Sequence, residues 1–257
     1  IDRFKASFRG NDVDRKAAAL FALSKVQHPD VVAELGKHLS NKNLDVRTVA
    51  AMAIADQGAL PGLAGPRLVE AMKANSGDAA FVMTAIDGIE ALGFRGAVEP
   101  LSDLALKGKN HAVRKHAMMA LAGTREMRAL DAMLELLKEV KIEDGYSWQG
   151  GEVSVDTGAA GDADQRAAEA EYAARYGGNE GRGRRAGARV RDIGEALLLA
   201  LKELTGQQFS KTAQVREWVE KNAASIEERK AALAKEQADQ EAEAKAAVEA
   251  RKARAKK

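Results

Sequence analysis

Apolar residues recur along this chain in two alternating registers. In the first, a long side chain is followed by apolar or small residues at +3 and +4, a small residue at +6 and an apolar one at +7. The instances are Lys16 with Ala19, Leu20, Ala22 and Leu23, and Arg47 with Ala50, Ala51, Ala53 and Ile54. Val82 with Ala85, Ile86, Gly88 and Ile89 follows, then Arg114 with Ala117, Met118, Ala120 and Leu121. Positions +3, +4 and +7 share one face of a 3.6-residue helix, so each segment predicts an amphipathic helix packed through small residues.

The second register predicts another helix after each of these. Leu35, Leu68, Leu101 and Met133 recur at an interval of about 33 residues, in the range of two-helix repeats. Leu39, Met72, Ala105 and Leu137 follow them one helical turn on. Val32, Val98 and Leu130 add an apolar residue three before, where the remaining unit has Gly65. Turn and helix-start residues separate the runs at His28-Pro29-Asp30, Leu60-Pro61-Gly62, residues 93–96 and Gly123-Thr124. Two columns held in phase over four units define a repeat of two helices. Its interior is expected to hold Leu23, Leu35, Ile54, Leu68, Ile89, Leu101, Leu121 and Met133.

Both ends extend the pattern. Ile1, Phe4 and Phe8 repeat the spacing of Val32, Leu35 and Leu39, as the second helix of a half-repeat would. Leu197, Leu198, Ala200 and Leu201 repeat the first register, with Val215 and Val219 repeating the second. The step from Met133 to Val215 exceeds one repeat by about 49 residues, which read as an insertion. A chain opening at Ile1 on half a unit is expected to be cut from a longer precursor. Its compartment is left open between export and the cytoplasm.

The spacing leaves tetratricopeptide, ankyrin and short HEAT-type units to choose between. The Trp, Leu-Gly, Tyr and Phe signature of the first and the Thr-Pro-Leu-His turn of the second are both absent. Asp45-Val46-Arg47 before Ala50-Ala51-x-Ala53-Ile54, and Val113-Arg114 before Ala117 to Leu121, resemble bacterial HEAT-repeat, or armadillo-like, proteins. Leu204-Thr205-Gly206 followed by Phe209 and Trp218 resembles their closing unit. The resemblance covers residues 1–142 and 192–222. It implies an all-α fold, an α-solenoid that binds other macromolecules. Val82 stands where that pattern has Arg, so an inter-repeat polar contact is expected to be missing there.

The expected organisation is residues 1–142 as the half-repeat and four units, 143–191 as the insertion, 192–224 as a fifth, capping unit and 225–257 as a charged tail. The insertion turns sharply towards Gly, Ala and charge. Alternation in Tyr146-Ser147-Trp148-Gln149 and Glu152-Val153-Ser154-Val155 about Gly150-Gly151 reads as a small β-hairpin. Residues 162–175 read as a short helix, and the Gly- and Arg-rich residues 177–191 as mobile chain. From Ser225 the composition is almost wholly Ala, Glu, Lys, Arg and Gln, with Ser225-x-x-Glu228 as a capping-box start. Ile226, Leu233 and Val248 are too sparse for an apolar coiled-coil seam.

Composition narrows the chemistry. The 257 residues carry 40 Lys+Arg against 38 Asp+Glu, a formal net charge of +2, and no Cys. Disulfide scaffolds, thiolate zinc sites, thiol nucleophiles and iron–sulfur clusters are therefore out. No apolar run reaches the ~18–20 residues of a membrane span. Gly181-Arg182-Gly183-Arg184-Arg185-Ala186 satisfies a loose dinucleotide fingerprint, but no strand precedes it. Asp156, Asp162 and Asp164 lack the alternating oxygens and closing Glu of a calcium loop. His28, His38, His111 and His116 read as helix-start or surface residues, since His111 and His116 are five apart and do not stack on one helix face. No residue is nominated for catalysis. The chain is expected not to be an enzyme and to need no metal or cofactor.

Two binding readings remain. In the preferred one the chain is a protein-interaction scaffold, since second helices of such repeats line the concave side. Their column two after Leu35 holds Lys37, Glu70, Asp103 and Glu135, with Arg67 in the column before it, and Tyr146 and Trp148 add apolar area in the insertion. In the other, a nucleic acid or other polyanion binds Arg182, Arg184, Arg185, Arg189 and Arg191 and the basic C-terminal tip. Near-neutral charge and the mainly acidic column weigh against it.

Overall fold

The computed structural model describes residues 12–124, 126–139 and 186–255, together with Phe4 and Phe8. These residues form eleven α-helices and no strand. In chain order they are α1 (Val13–Ser24), α2 (Pro29–Gly36), α3 (Leu44–Ala55), α4 (Pro61–Ala74), α5 (Ala79–Ala91), α6 (Val98–Lys107), α7 (His111–Gly123), α8 (Ala129–Glu139), α9 (Ala186–Thr205), α10 (Thr212–Lys221) and α11 (Ala223–Ala255). A short 3-10 turn, Arg95–Ala97, leads into α6.

The helix starts follow from local chemistry. Asp12, Asn43, Asp78 and Asn110 each accept a backbone N–H of the first turn through the side chain, as does the Nδ1 of His28 before α2. Proline takes the first position of α2 and α4, where its missing N–H costs nothing. At Gly93 the chain takes a φ of +58°, a left-handed turn that ends α5 and that side chains resist.

α1, α3, α5, α7 and α9 pack one on the next in that order. α2 lies against α4 and α6 against α8, and the 3-10 turn bridges α4 and α6. The core runs between these two sets. Leu35, Leu68, Leu101 and Met133 are buried, as are Ile54, Ile89 and Leu121. Each contributes roughly 1.5–3 kcal/mol by leaving water. Leu23 departs from the expectation. It is half-buried on α1, which among the described helices packs on α2 and α3.

Polar links join successive units at their ends. Gln57 Nε2 donates to the Ser24 carbonyl, and the Ser24 hydroxyl donates to Asp56. Arg47 donates to Asp78 at 3.1 Å and its guanidinium lies 5.2 Å from the Phe81 ring centroid. Val82 is buried and has no polar group to make such a contact, as its departure from the Arg pattern implied. His116 and Asp87, 2.7 Å apart, link α7 to α5 instead.

The ends differ from the sequence reading in two places. α9 begins at Ala186, so the chain from 186 to 191 is helical rather than part of a mobile stretch. α11 begins at Ala223, which puts Ser225 inside the helix instead of at its cap. Phe4 is buried beside Phe8 and His38, but the remainder of residues 1–11 lies outside the described residues.

Candidate functional site

Lys37, which caps the C-terminus of α2, and Glu70, Asp103 and Glu135 on α4, α6 and α8 are exposed to solvent at the same position of each unit. Every one of the four has an oppositely charged neighbour close by in sequence: Glu34, Arg67, Lys107 and Lys138. The column is therefore a strip of mixed sign rather than an acidic track. The exposed pairs at Glu70, Asp103 and Glu135 are worth at most about 0.5 kcal/mol each, so they leave those charges available to a partner, whereas Lys37 is paired with the buried Glu34.

Between α4 and α6 this strip opens into a shallow groove of about 450 Å³, lined by Pro66, Val69, Glu70, Lys73, Phe94, Gly96 and Pro100. Phe94 forms its floor. The ring lies against Gly65 and Gly96, neither of which has a side chain in the way. Pro66 sits within α4 and gives no N–H to the carbonyl one turn earlier, that of Gly62. Two prolines, a valine and an aromatic floor beside Glu70 and Lys73 make a concave apolar surface with one charge of each sign at its rim.

The C-terminal helix α11 lies back over the body, touching α2, α4 and the 3-10 turn. Its inward positions are Ile226, Lys230, Leu233, Gln237, Gln240, Ala244 and Ala247, a regular alternation of three and four. The seam has coiled-coil spacing, but from Gln237 onward it carries no apolar side chain larger than Ala. Lys230 donates to Asp131 in the first turn of α8 at 2.9 Å. Arg128 donates to Gln237 at 2.6 Å, and Arg95 pairs with Glu236 at 3.3 Å. Gln240 accepts from the Arg95 backbone N–H and donates to the Gly93 carbonyl, both at 3.4 Å. Gly62 comes so close to the backbone of α11 that a Cβ there would collide with the Gln240 carbonyl and lie 2.9 Å from Ala244 Cβ.

Arg128 also holds the buried carboxylate of Glu126 in a two-pronged contact, Nε to Oε1 and Nη2 to Oε2, each 3.0 Å. Its hydrogen bond to that carboxylate holds the guanidinium above the ordinary arginine range. Lys230 likewise titrates above the usual lysine range: burial pulls it down, and the bonds to Asp131 and Glu227 outweigh that.

Two histidines depart from the helix-start or surface reading. His116 is buried against Asp87, and His38 is packed edge-on to Phe4 and tilted against Phe8, at centroid distances of 5.6 and 4.1 Å. The contact of His116 with the Asp87 carboxylate ties α7 to α5. Burial is the main force pulling the His38 pKa down, with Lys37 and Lys16 adding to it and Glu34 opposing. Among the described residues no group of His, Asp and Glu could hold a metal, and no helix is long and apolar enough to cross a membrane.

Of the residues nominated from sequence, Arg67 joins Glu70 on α4, beside the groove. Tyr146, Trp148, Arg182, Arg184 and Arg185 lie outside the described residues, and so does the expected hairpin. Arg189 and Arg191 belong to the first turns of α9. Sequence reasoning passed over Phe94, Pro66, Arg95 and Arg128. A signal for the last two was present: Gly62 and Arg95 stand six residues before Leu68 and Leu101, and Arg128 stands five before Met133. No protein-family model matches the chain, and no curated protein matches it.

Proposed function

We propose that the chain is an α-solenoid of HEAT-like two-helix units and serves as a non-enzymatic scaffold that binds a protein partner along its second helices. The observation that carries this reading is the groove between α4 and α6. An apolar floor and walls flanked by Glu70 and Lys73 suit an extended segment that buries a few side chains and pairs its charges at the rim. Serial packing of the first helices supports it, because stacked units leave one long face exposed for binding. The residues assigned to this role are Arg67, Glu70, Lys73 and Phe94, with Lys37, Asp103 and Glu135 extending the strip.

A pull-down from cell extract, run with and without nuclease at two salt concentrations, tests it. The scaffold reading expects a protein recovered regardless of nuclease and lost on Val69→Asp. Recovery that vanishes with nuclease and falls steeply with salt would instead identify a polyanion binder.

A further inference from the structure

We propose that the part of α11 beyond Leu233 is a releasable strap seated on a helix-binding surface, and that the partner fitting this surface is an alanine-rich, acidic helix able to displace it. The surface is built by the repeat. Gly62 and Arg95 stand six residues before Leu68 and Leu101, Arg128 stands five before Met133, and α11 meets the three in reverse order with Ala244, Gln240 and Gln237. Gly62 admits a helix backbone only if the helix has a small residue opposite, and Ala244 supplies it. Arg95 and Arg128 offer guanidinium groups to a carboxylate and a carboxamide, supplied by Glu236 and Gln237. The N-terminal end of α4 adds its positive dipole end to this edge.

The seam also divides in two. Ile226 is buried and Leu233 packs on the core, which anchors the proximal part. Beyond Leu233 the contacts are ion pairs, which salt screens, amide hydrogen bonds, which water can replace, and alanine on glycine, which buries little apolar area. Residues of high helix propensity fill the strap, so undocking does not require it to unfold. A rigid arm held by polar contacts is readily exchanged for a competing helix of the same chemistry. This inference rests on the protein-binding reading above, and its test does not use the α4–α6 groove, so the two can fail separately.

The experiment uses the full chain and, as probe, a fluorescently labelled synthetic peptide of residues 232–250, which keeps the five acidic residues of the strap and leaves out the basic tip. In one variant, Glu236→Lys/Gln240→Ala/Ala244→Leu, the strap is weakened while the surface is intact. If the strap occupies the surface more than nine-tenths of the time, that variant binds the peptide about tenfold more tightly than the unaltered chain. The gain disappears in about 1 M salt, where the screening length falls to ~3 Å. Adding Gly62→Val to the variant abolishes peptide binding. A second readout is independent of the peptide: the chain has no Cys, so Gly58→Cys and Val248→Cys accept spin labels selectively. Gly58 has open space where a side chain would go, and Val248 is partly exposed. The label distance is expected to lengthen in high salt while circular dichroism keeps its helical signal. Equal peptide affinity of variant and unaltered chain, or a label distance indifferent to salt, would make α11 a permanent brace and overturn the proposal.

Discussion

The ring of Phe94 lies against Gly65, so that a Cβ at position 65 would come within 2.6 Å of Phe94 Cβ and closer still to the ring. Gly65 stands where the other units have Val32, Val98 and Leu130. The apolar volume missing from its column is supplied by an aromatic from the next unit. An ordinary helix-interior Gly→Ala change stabilises by roughly 0.8–1 kcal/mol. Here Gly65→Ala is expected to do the reverse, at a cost of about 1–3 kcal/mol from overpacking. Denaturant midpoints of Gly65→Ala alone and with Phe94→Leu check it, the double variant regaining part of the loss.

Leu68 and Leu101 occupy matching positions in α4 and α6, both buried on all sides. Truncating either to Ala should cost about 2–5 kcal/mol. Urea unfolding curves give the value, and a loss under about 1 kcal/mol at both would contradict a core shared between successive units.

Glu126 is wholly buried and Arg128 is its charged partner. Arg128→Leu leaves an uncompensated carboxylate and should destabilise by about 3–5 kcal/mol. Adding Glu126→Gln removes the stranded charge, so the double variant is expected to be more stable than Arg128→Leu. Thermal denaturation at neutral pH compares the two directly.

His38 makes stability depend on pH. Its Nε2 is buried without a hydrogen-bond partner, and burial lowers its pKa in the folded chain. The unfolded chain therefore binds its proton first. Stability contributed by neutral His38 is complete above the unfolded value of about 6.5, and falls as pH drops through it towards the lower folded value. Melting temperatures taken from about pH 7.5 down to 5.5 should decline, and His38→Phe should flatten this part of the decline. A profile unchanged by that substitution would remove His38 as the cause.

The helices were legible in the sequence because each must bury one face, and that need imposes a spacing on Leu35, Leu68, Leu101 and Met133 that the chain displays directly. Turn and proline signals at His28, Pro29 and Pro61 marked where helices start, since they act within a few residues of themselves. Other features required distant residues to meet. Nothing local distinguishes Phe94 from a turn residue until Gly65 is brought beneath it, and an alanine-rich helix carries no apolar stripe to announce where it docks. The α11 seam reads as polar and sparse because what it contacts is not an apolar groove: it is a glycine, two arginines and backbone ends, spaced by the repeat. Local periodicity determined which helices form and which face each one buries. Only the stacking of those helices decided which side chains share a groove, and over which edge the last helix lies.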